Sequence, residues 1–108
     1  MNQSFLDKIR EAGSRRIVYT SHALDEMNAE DEMISTYEVK EVVLSGDIIE
    51  DYPDDKRGHS CLMLGFSQIK RPVHVVCSPR DEFLWIITAY IPEEDKWEKD
   101  FKTRKRRR

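Results

Sequence analysis

Arg71-Pro72-Val73-His74-Val75-Val76-Cys77 and Phe83-Leu84-Trp85-Ile86-Ile87-Thr88-Ala89-Tyr90 are the most apolar runs of the chain. Both are rich in β-branched and aromatic residues. They flank Ser78-Pro79-Arg80-Asp81-Glu82, a short loop of turn formers and charges. This pattern predicts an antiparallel hairpin at the centre of a sheet, with Val75, Trp85 and Ile87 in the core beside Val43. His74, Thr88 and Tyr90 stand out, because they are polar groups in strands that packing alone would fill with aliphatics. Two hairpin registers are open. In one, His74 shares a face with Ile86, Thr88 and Tyr90 and forms a polar cluster; in the other it joins Phe83 and Trp85. We take the first.

Outward from the hairpin, Ser60 to Phe66 reads as a strand, and Ile48 to Tyr52 as another, with a turn over Pro53 to Gly58 between them. Ser35-Thr36-Tyr37-Glu38 is a capping box that starts a helix through Val39, Val42 and Val43, closed by Gly46. A shorter helix begins at Ser21 as N-cap, with Ala23, Leu24 and Met27 as its buried stripe and His22 in its first turn. Residues 4 to 12 give an amphipathic helix stopped by Gly13, and Ile17-Val18-Tyr19 a short extended segment. After Pro92, residues 93 to 101 predict a last helix, with Trp97 and Phe101 packing back. Helices first and strands after, joined by short loops, imply an α+β domain over residues 1–101. Its helices would lie on a four-stranded antiparallel sheet, and a basic tail follows over 102–108.

At 108 residues the chain forms one domain with a small core. No apolar run approaches the roughly 18 residues of a membrane span, and the N-terminus has no signal-peptide pattern. Cys61 and Cys77 lie in strands without metal-ligand spacing and read as reduced thiols, so a cytoplasmic location with no membrane partner is expected. The net charge of −3 hides an asymmetry. Residues 25 to 55 hold twelve acids against Lys40 alone, while the tail from Lys102 holds six bases and no acid. Without the tail, 12 bases face 21 acids. An acidic body disfavours general nucleic-acid affinity, and the tail supplies it locally.

No Gly-rich phosphate loop, zinc-spaced Cys or His pair, Gly-x-Ser-x-Gly elbow or nucleotide fingerprint is present, so no cofactor and no metal are expected. What remains is a scatter of His, Arg, Lys, Thr and Tyr. Each has a bland reading: His22 as a surface residue, His74 as a satisfied strand histidine, Thr88 and Tyr90 as strand formers. His59 reads as solvated, and Lys56, Arg57, Lys70, Arg71 and Arg80 are ordinary loop charges.

Ser-His-Ala-Leu-Asp-Glu-Met at 21–27, Ile34-Ser35 with the Val39 to Gly46 helix, Arg-Pro-Val-His-Val-Val at 71–76 and Ile-Thr-Ala-Tyr at 87–90 together resemble a known family over about residues 17 to 92. It is a family of small bacterial proteins classed as a domain of unknown function, similar to the RelE/ParE class of toxins within the wider barnase, EndoU, colicin and RelE ribonuclease fold. The pattern often has a basic residue in place of Glu26 and an Arg-Gly pair in place of Asp31-Glu32-Met33, so this chain lacks two positive charges. His22, His74, Thr88 and Tyr90 match the pattern and carry over as catalytic candidates. The resemblance implies a toxin-like protein, paired with an antitoxin protein and directed at RNA or the ribosome.

Metal-free RNA cleavage needs a base for the ribose 2′-OH, an acid for the leaving oxygen and a cation for the phosphorane. His22 or His74 would serve as base and acid, and Tyr90 would orient the substrate or stack on a base. Lys56, Arg57, Arg71 and Arg80 are the candidates for binding its phosphates. The expectation is a metal-independent endoribonuclease of the mRNA interferase type. A non-catalytic binding module of the same fold, contacting a protein partner or RNA, is the alternative.

Overall fold

The computed structural model describes residues 3–106; Arg107 and Arg108 of the expected tail lie outside that range. Three helices and five strands follow in the order α1 (Gln3–Arg15), β1 (Ile17–Tyr19), α2 (Ser21–Met27), α3 (Thr36–Ser45), β2 (Asp47–Tyr52), β3 (Ser60–Phe66), β4 (Pro72–Pro79) and β5 (Leu84–Tyr90). The strands form one open sheet in the order β1-β5-β4-β3-β2. The β4–β5 hairpin is antiparallel and interior, as its apolar runs require. The expectation of four antiparallel strands is corrected by β1, which pairs parallel to β5 with Val18 opposite Trp85. Three residues are too few for an alternation signal, and their partner lies far along the chain. No helix among the described residues is long and apolar enough to cross a membrane.

Helices α1 and α3 bury Phe5, Ile9, Ala12, Val39, Val42 and Val43 against the inner face of the sheet, where Met63, Val73, Val75, Cys77, Leu84, Ile86 and Ala89 complete the core. Burial of each large aliphatic contributes about 1.5–3 kcal/mol. The capping box forms as read: Ser35 Oγ accepts from the Glu38 amide, and Glu38 reaches back to the Ser35 amide. At α2 the N-cap is Thr20 rather than Ser21. Its hydroxyl accepts from the Ala23 amide at 3.0 Å and donates to the Ile87 carbonyl at 2.8 Å, so one side chain starts the helix and fastens it to β5. This orientation leaves Leu24, expected in the buried stripe, 41% exposed. Val43, Val75 and Ile87 are buried as expected, whereas Trp85 is half-buried under the Arg80 guanidinium. His59, read as solvated, is half-buried and stacks on Phe5 with ring centroids 3.6 Å apart.

Among the described residues, 92–106 are not helical, which corrects the expected last helix over 93–101. Asp100 accepts from the Lys102 and Thr103 amides, Glu98 and Lys105 amides bond the Thr103 and Lys96 carbonyls, and Trp97 bridges to Arg104. These bonds make a small irregular hairpin across the outer face of the sheet. The four-residue spacing of Trp97 and Phe101 imitates a helix, but the Asp100 side chain gives the backbone a turn to bond instead. Trp97 is buried, and its ring meets the His74 imidazole edge-on with centroids 4.5 Å apart. Residues 102–105 are therefore anchored to the body. Arg104 grips Glu50 with Nε at 2.8 Å and Nη2 at 3.0 Å, and Lys102 lies 3.8 Å from Asp47. Arg71 forks onto Glu38 in the same way. Much of the sequence's charge asymmetry is an internal complementarity, with basic residues answering carboxylates of the acidic segment.

Candidate functional site

Two bends concentrate polar groups at the Tyr90 end of β5. One is the fastening of α2 by Thr20, which sets Glu26 beside the strand. The other is a bulge in the β4–β5 ladder between Val76 and Cys77, on the far side of which His74 pairs with Tyr90 and Val76 with Thr88. His74, Thr88 and Tyr90 share the outer face, but the register taken from the sequence is corrected by the bulge: it turns Ile86, expected on that face, inward opposite Cys77 into the core, and the direct neighbour of His74 is Tyr90. The C-terminal hairpin closes the other side. The result is a cleft of about 430 Å³ with Glu26, Glu32 and Tyr90 on one wall and Lys96, Trp97 and Arg104 on the other.

Two separate hydrogen-bonded groups border it, each reaching it through one lining residue, Glu26 or Tyr90. The Thr88 hydroxyl donates to Glu26, and His22 Nε2 lies 3.4 Å from Glu26 Oε1, one helical turn away on α2. His74 Nε2 is 2.8 Å from the Phe101 carbonyl, and Nδ1 is 3.2 Å from the Tyr90 hydroxyl. A carbonyl can only accept, so Nε2 carries the proton and Nδ1 accepts from the Tyr90 O–H. Burial raises the Glu26 carboxyl above the usual range, against the opposing pull of His22 and the Ala89 backbone. Burial also depresses His74, with the Phe101 carbonyl acting the other way, and it raises Tyr90. The cleft thus holds a carboxylate moved toward neutrality with an exposed imidazole beside it, and two cations that are each already engaged, Arg104 by Glu50 and Lys96 by Glu93 at 3.5 Å.

The four candidates drawn from the resemblance occupy one neighbourhood, with different exposure. His22 is open to solvent, Thr88 and Tyr90 are half-buried, and His74 is wholly buried beneath Trp97 and Phe101. The four candidate phosphate binders are elsewhere. Arg71 is committed to Glu38 and to the Glu32 and Met33 carbonyls at 2.8 and 3.0 Å. Arg57 is held by Asp55 in its own turn, with exposed Lys56 beside it, and Arg80 lies over Trp85 with its Cζ 4.8 Å from the ring centroid. Lys56, Arg57 and Arg80 stand at the opposite end of the sheet from Tyr90. Arg104 and Lys96 are the cations at the cleft. Glu26, noted from the sequence only as standing where the resembled pattern often has a basic residue, was not read as a site residue. Its four-residue spacing from His22 was the available signal.

The chain belongs to the family described as a domain of unknown function, DUF4258. The match covers residues 19–91. Comparison with curated proteins finds no match, and comparison with solved structures finds none. The DUF4258 span carries His22, Glu26, His74, Thr88 and Tyr90 but stops short of Lys96, Trp97 and Arg104. One wall of the cleft is therefore supplied by the matched span and the other by the segment that follows it.

Proposed function

We propose that this DUF4258 chain is a toxin-like, metal-independent endoribonuclease, similar to the RelE/ParE class, working at the Glu26 cleft. The observation that carries the reading is the pairing of His22, at 3.4 Å, with Glu26, which lines a cleft that also carries Arg104 and Lys96. Glu26, its carboxyl raised by burial, takes the proton of a ribose 2′-OH. The freed 2′-oxygen attacks the adjacent phosphorus. The P–O5′ bond breaks, and the leaving 5′-oxygen takes a proton from protonated His22, leaving a 2′,3′-cyclic phosphate and a 5′-hydroxyl. Arg104 and Lys96 face the charge that builds on the phosphorane oxygens. Thr88 orients Glu26. His74 cannot reach a substrate beneath Trp97; it acts as a positioning residue through Tyr90. An antitoxin protein covering this cleft would silence it.

The test is incubation of purified protein with RNA in chelator, with and without ribosomes. Cleavage leaving 2′,3′-cyclic phosphate ends is expected, with a loss of at least a hundredfold in Glu26→Gln and Arg104→Ala proteins that retain the wild-type circular dichroism. Full cleavage by folded Glu26→Gln removes the mechanism, and absence of cleavage by the wild type removes the enzyme. The second reading is the non-catalytic binding module. The complete burial of His74 and the dispersal of Arg57, Arg71 and Arg80 favour it. It predicts RNA or protein-partner binding at the cleft without strand scission.

A further inference from the structure

The face of α3 that packs on the sheet carries Val39, Val42 and Val43, yet the opposite face is not purely polar. Tyr37 and Leu44 stand one heptad apart on that outward face, 80% and 44% exposed. Ile69, 70% exposed, lies in the turn joining β3 to β4 beside the same helix. That turn meets α3 where the Gln68 amide donates to Glu41 Oε1 at 3.4 Å. A groove of about 240 Å³ runs along the contact, lined by Tyr37, Lys40, Glu41, Leu44, Ser45 and Gln68. Single exposed apolar side chains are ordinary, but several on one face beside a groove mark a contact surface. Lys40 and Glu41 flank the line from Tyr37 to Leu44 at nearly the same height, one on each side, because successive helical residues are turned by about 100°. Neither is in an ion pair among the described residues.

We propose that this face docks a second copy of the chain, with the two α3 helices side by side and running in the same direction about a twofold axis. The occupant follows from the charges. A twofold axis parallel to the helices sets Lys40 of each copy opposite Glu41 of the other, making two ion pairs on either side of the apolar line. A twofold axis that reversed one helix would set Lys40 against Lys40 and Glu41 against Glu41, which repel. The face is therefore complementary to itself in one orientation only. In that orientation Tyr37 meets Tyr37 and Leu44 meets Leu44, the like-with-like layers of an isologous contact. A partner surface of a single charge sign would be repelled by one of the two flanks, so the balanced pair favours a copy of this chain. The contact is small and its ion pairs lie at the surface, so the association is weak. None of the residues lining the Glu26 cleft belongs to this face.

Sedimentation velocity over a concentration series tests it. The wild type should pass from monomer to dimer as its concentration approaches millimolar. Leu44→Asp should raise the dissociation constant at least about tenfold, since the burial of two leucine side chains is lost. Lys40→Glu and Glu41→Lys should each dimerise less than the wild type, because both flanks then carry like charge. Their equimolar mixture should dimerise again, each copy supplying the sign the other lacks. None of the three positions is buried, and circular dichroism checks that each variant is folded. A wild type that stays monomeric at millimolar concentration overturns the proposal and leaves the face to a different protein. A dimer that survives Leu44→Asp and both charge reversals places the contact elsewhere and overturns it too. A dimer strengthened by Lys40→Ala would mean that like charges meet, which overturns the parallel arrangement.

Discussion

His74 donates from Nε2 to the carbonyl of Phe101 at 2.8 Å, across 27 positions of sequence and between the central strand and the C-terminal hairpin. Because Nδ1 must then accept from Tyr90, a second proton on this ring breaks the existing pattern. The folded pKa is depressed, chiefly by burial, below the ordinary value of 6.5. Between the two values the unfolded chain binds the proton and the folded chain does not. This contribution is therefore complete above about pH 6.5 and is lost as pH falls through the folded pKa. The difference in melting temperature between the wild type and His74→Phe should narrow or reverse as pH is lowered across that window. A difference that stays constant with pH means that His74 does not remain neutral under the hairpin.

The hairpin itself should open locally. Trp97 is 4% exposed and lies between the His74 edge and the Arg104 guanidinium, whose Cζ is 4.6 Å from the indole centroid. Truncating a core Trp to Ala costs roughly 3–5 kcal/mol. The segment holds no helix or strand of the sheet, so Trp97→Ala should release it without unfolding the rest, and global stability should fall by less than that figure. Hydrogen exchange should become fast over residues 92–106 and at the His74 ring N–H, while the β3 and β4 amides stay protected. Uniform loss of protection across the sheet would show that the hairpin is integral to the core.

Legibility in the sequence followed the range of the interactions. The capping box and the β4–β5 hairpin depend on neighbours in sequence or on a two-residue period, and both were readable; the bulge that separates Ile86 from His74, Thr88 and Tyr90 was not, because a two-residue period cannot encode a register shift. The parallel β1–β5 pairing depends on a contact between residues 17–19 and 84–86, which no local pattern encodes. The C-terminal segment misled for a definite reason: Trp97 and Phe101 have helical spacing, and Asp100 outcompetes the helix by capping a turn. At the cleft, His22, Thr88 and Tyr90 were visible as candidates. Glu26 and Arg104 were not, because one looked like the loss of a basic residue from the pattern and the other like part of a charged tail.

Glu38 and Arg71 make a two-pronged ion pair, with Oε2 to Nε at 2.7 Å and Oε1 to Nη2 at 2.8 Å. The guanidinium also binds two carbonyls of the loop before α3, so this pair ties that loop to the start of β4. Hydrogen bonding from Arg71, the largest cause, holds the Glu38 carboxyl at about 2 against an ordinary 4.5. A depressed carboxyl contributes stability above the unfolded value and loses it as pH falls from 4.5 to about 2. Arg71→Ala should destabilise by about 1.5–3 kcal/mol near neutrality, the range for hydrogen bonds to charged groups, and flatten the acid limb of the stability profile. RNA cleavage should survive at temperatures well below the melting point. An unaltered acid limb in the variant would assign the acid sensitivity elsewhere.

Glycines at the seam between α3 and the sheet should rank by what lies above them. At Gly46 a Cβ would sit 2.5 Å from the Leu64 carbonyl oxygen and 2.6 Å from that of Val42. At Gly65 it would sit 2.9 Å from the Val42 Cα. Those obstacles are backbone, so α3 must move off β3, and overpacking of this kind typically costs about 1–3 kcal/mol. The smaller unfolded-state gain of removing a glycine, about 0.4–1 kcal/mol, cannot offset it. At Gly13 the nearest obstacle is the Val43 Cγ1 at 3.1 Å, a side-chain methyl that can yield by tenths of an ångström, and the position lies within α1. The roughly 0.5–1 kcal/mol by which Ala outranks Gly inside a helix then balances the crowding. Chemical denaturation of the three alanine variants should place Gly13→Ala close to wild type and the other two clearly below it. If Gly65→Ala proved as stable as Gly13→Ala, the close approach of α3 to β3 would be looser in solution than these distances require.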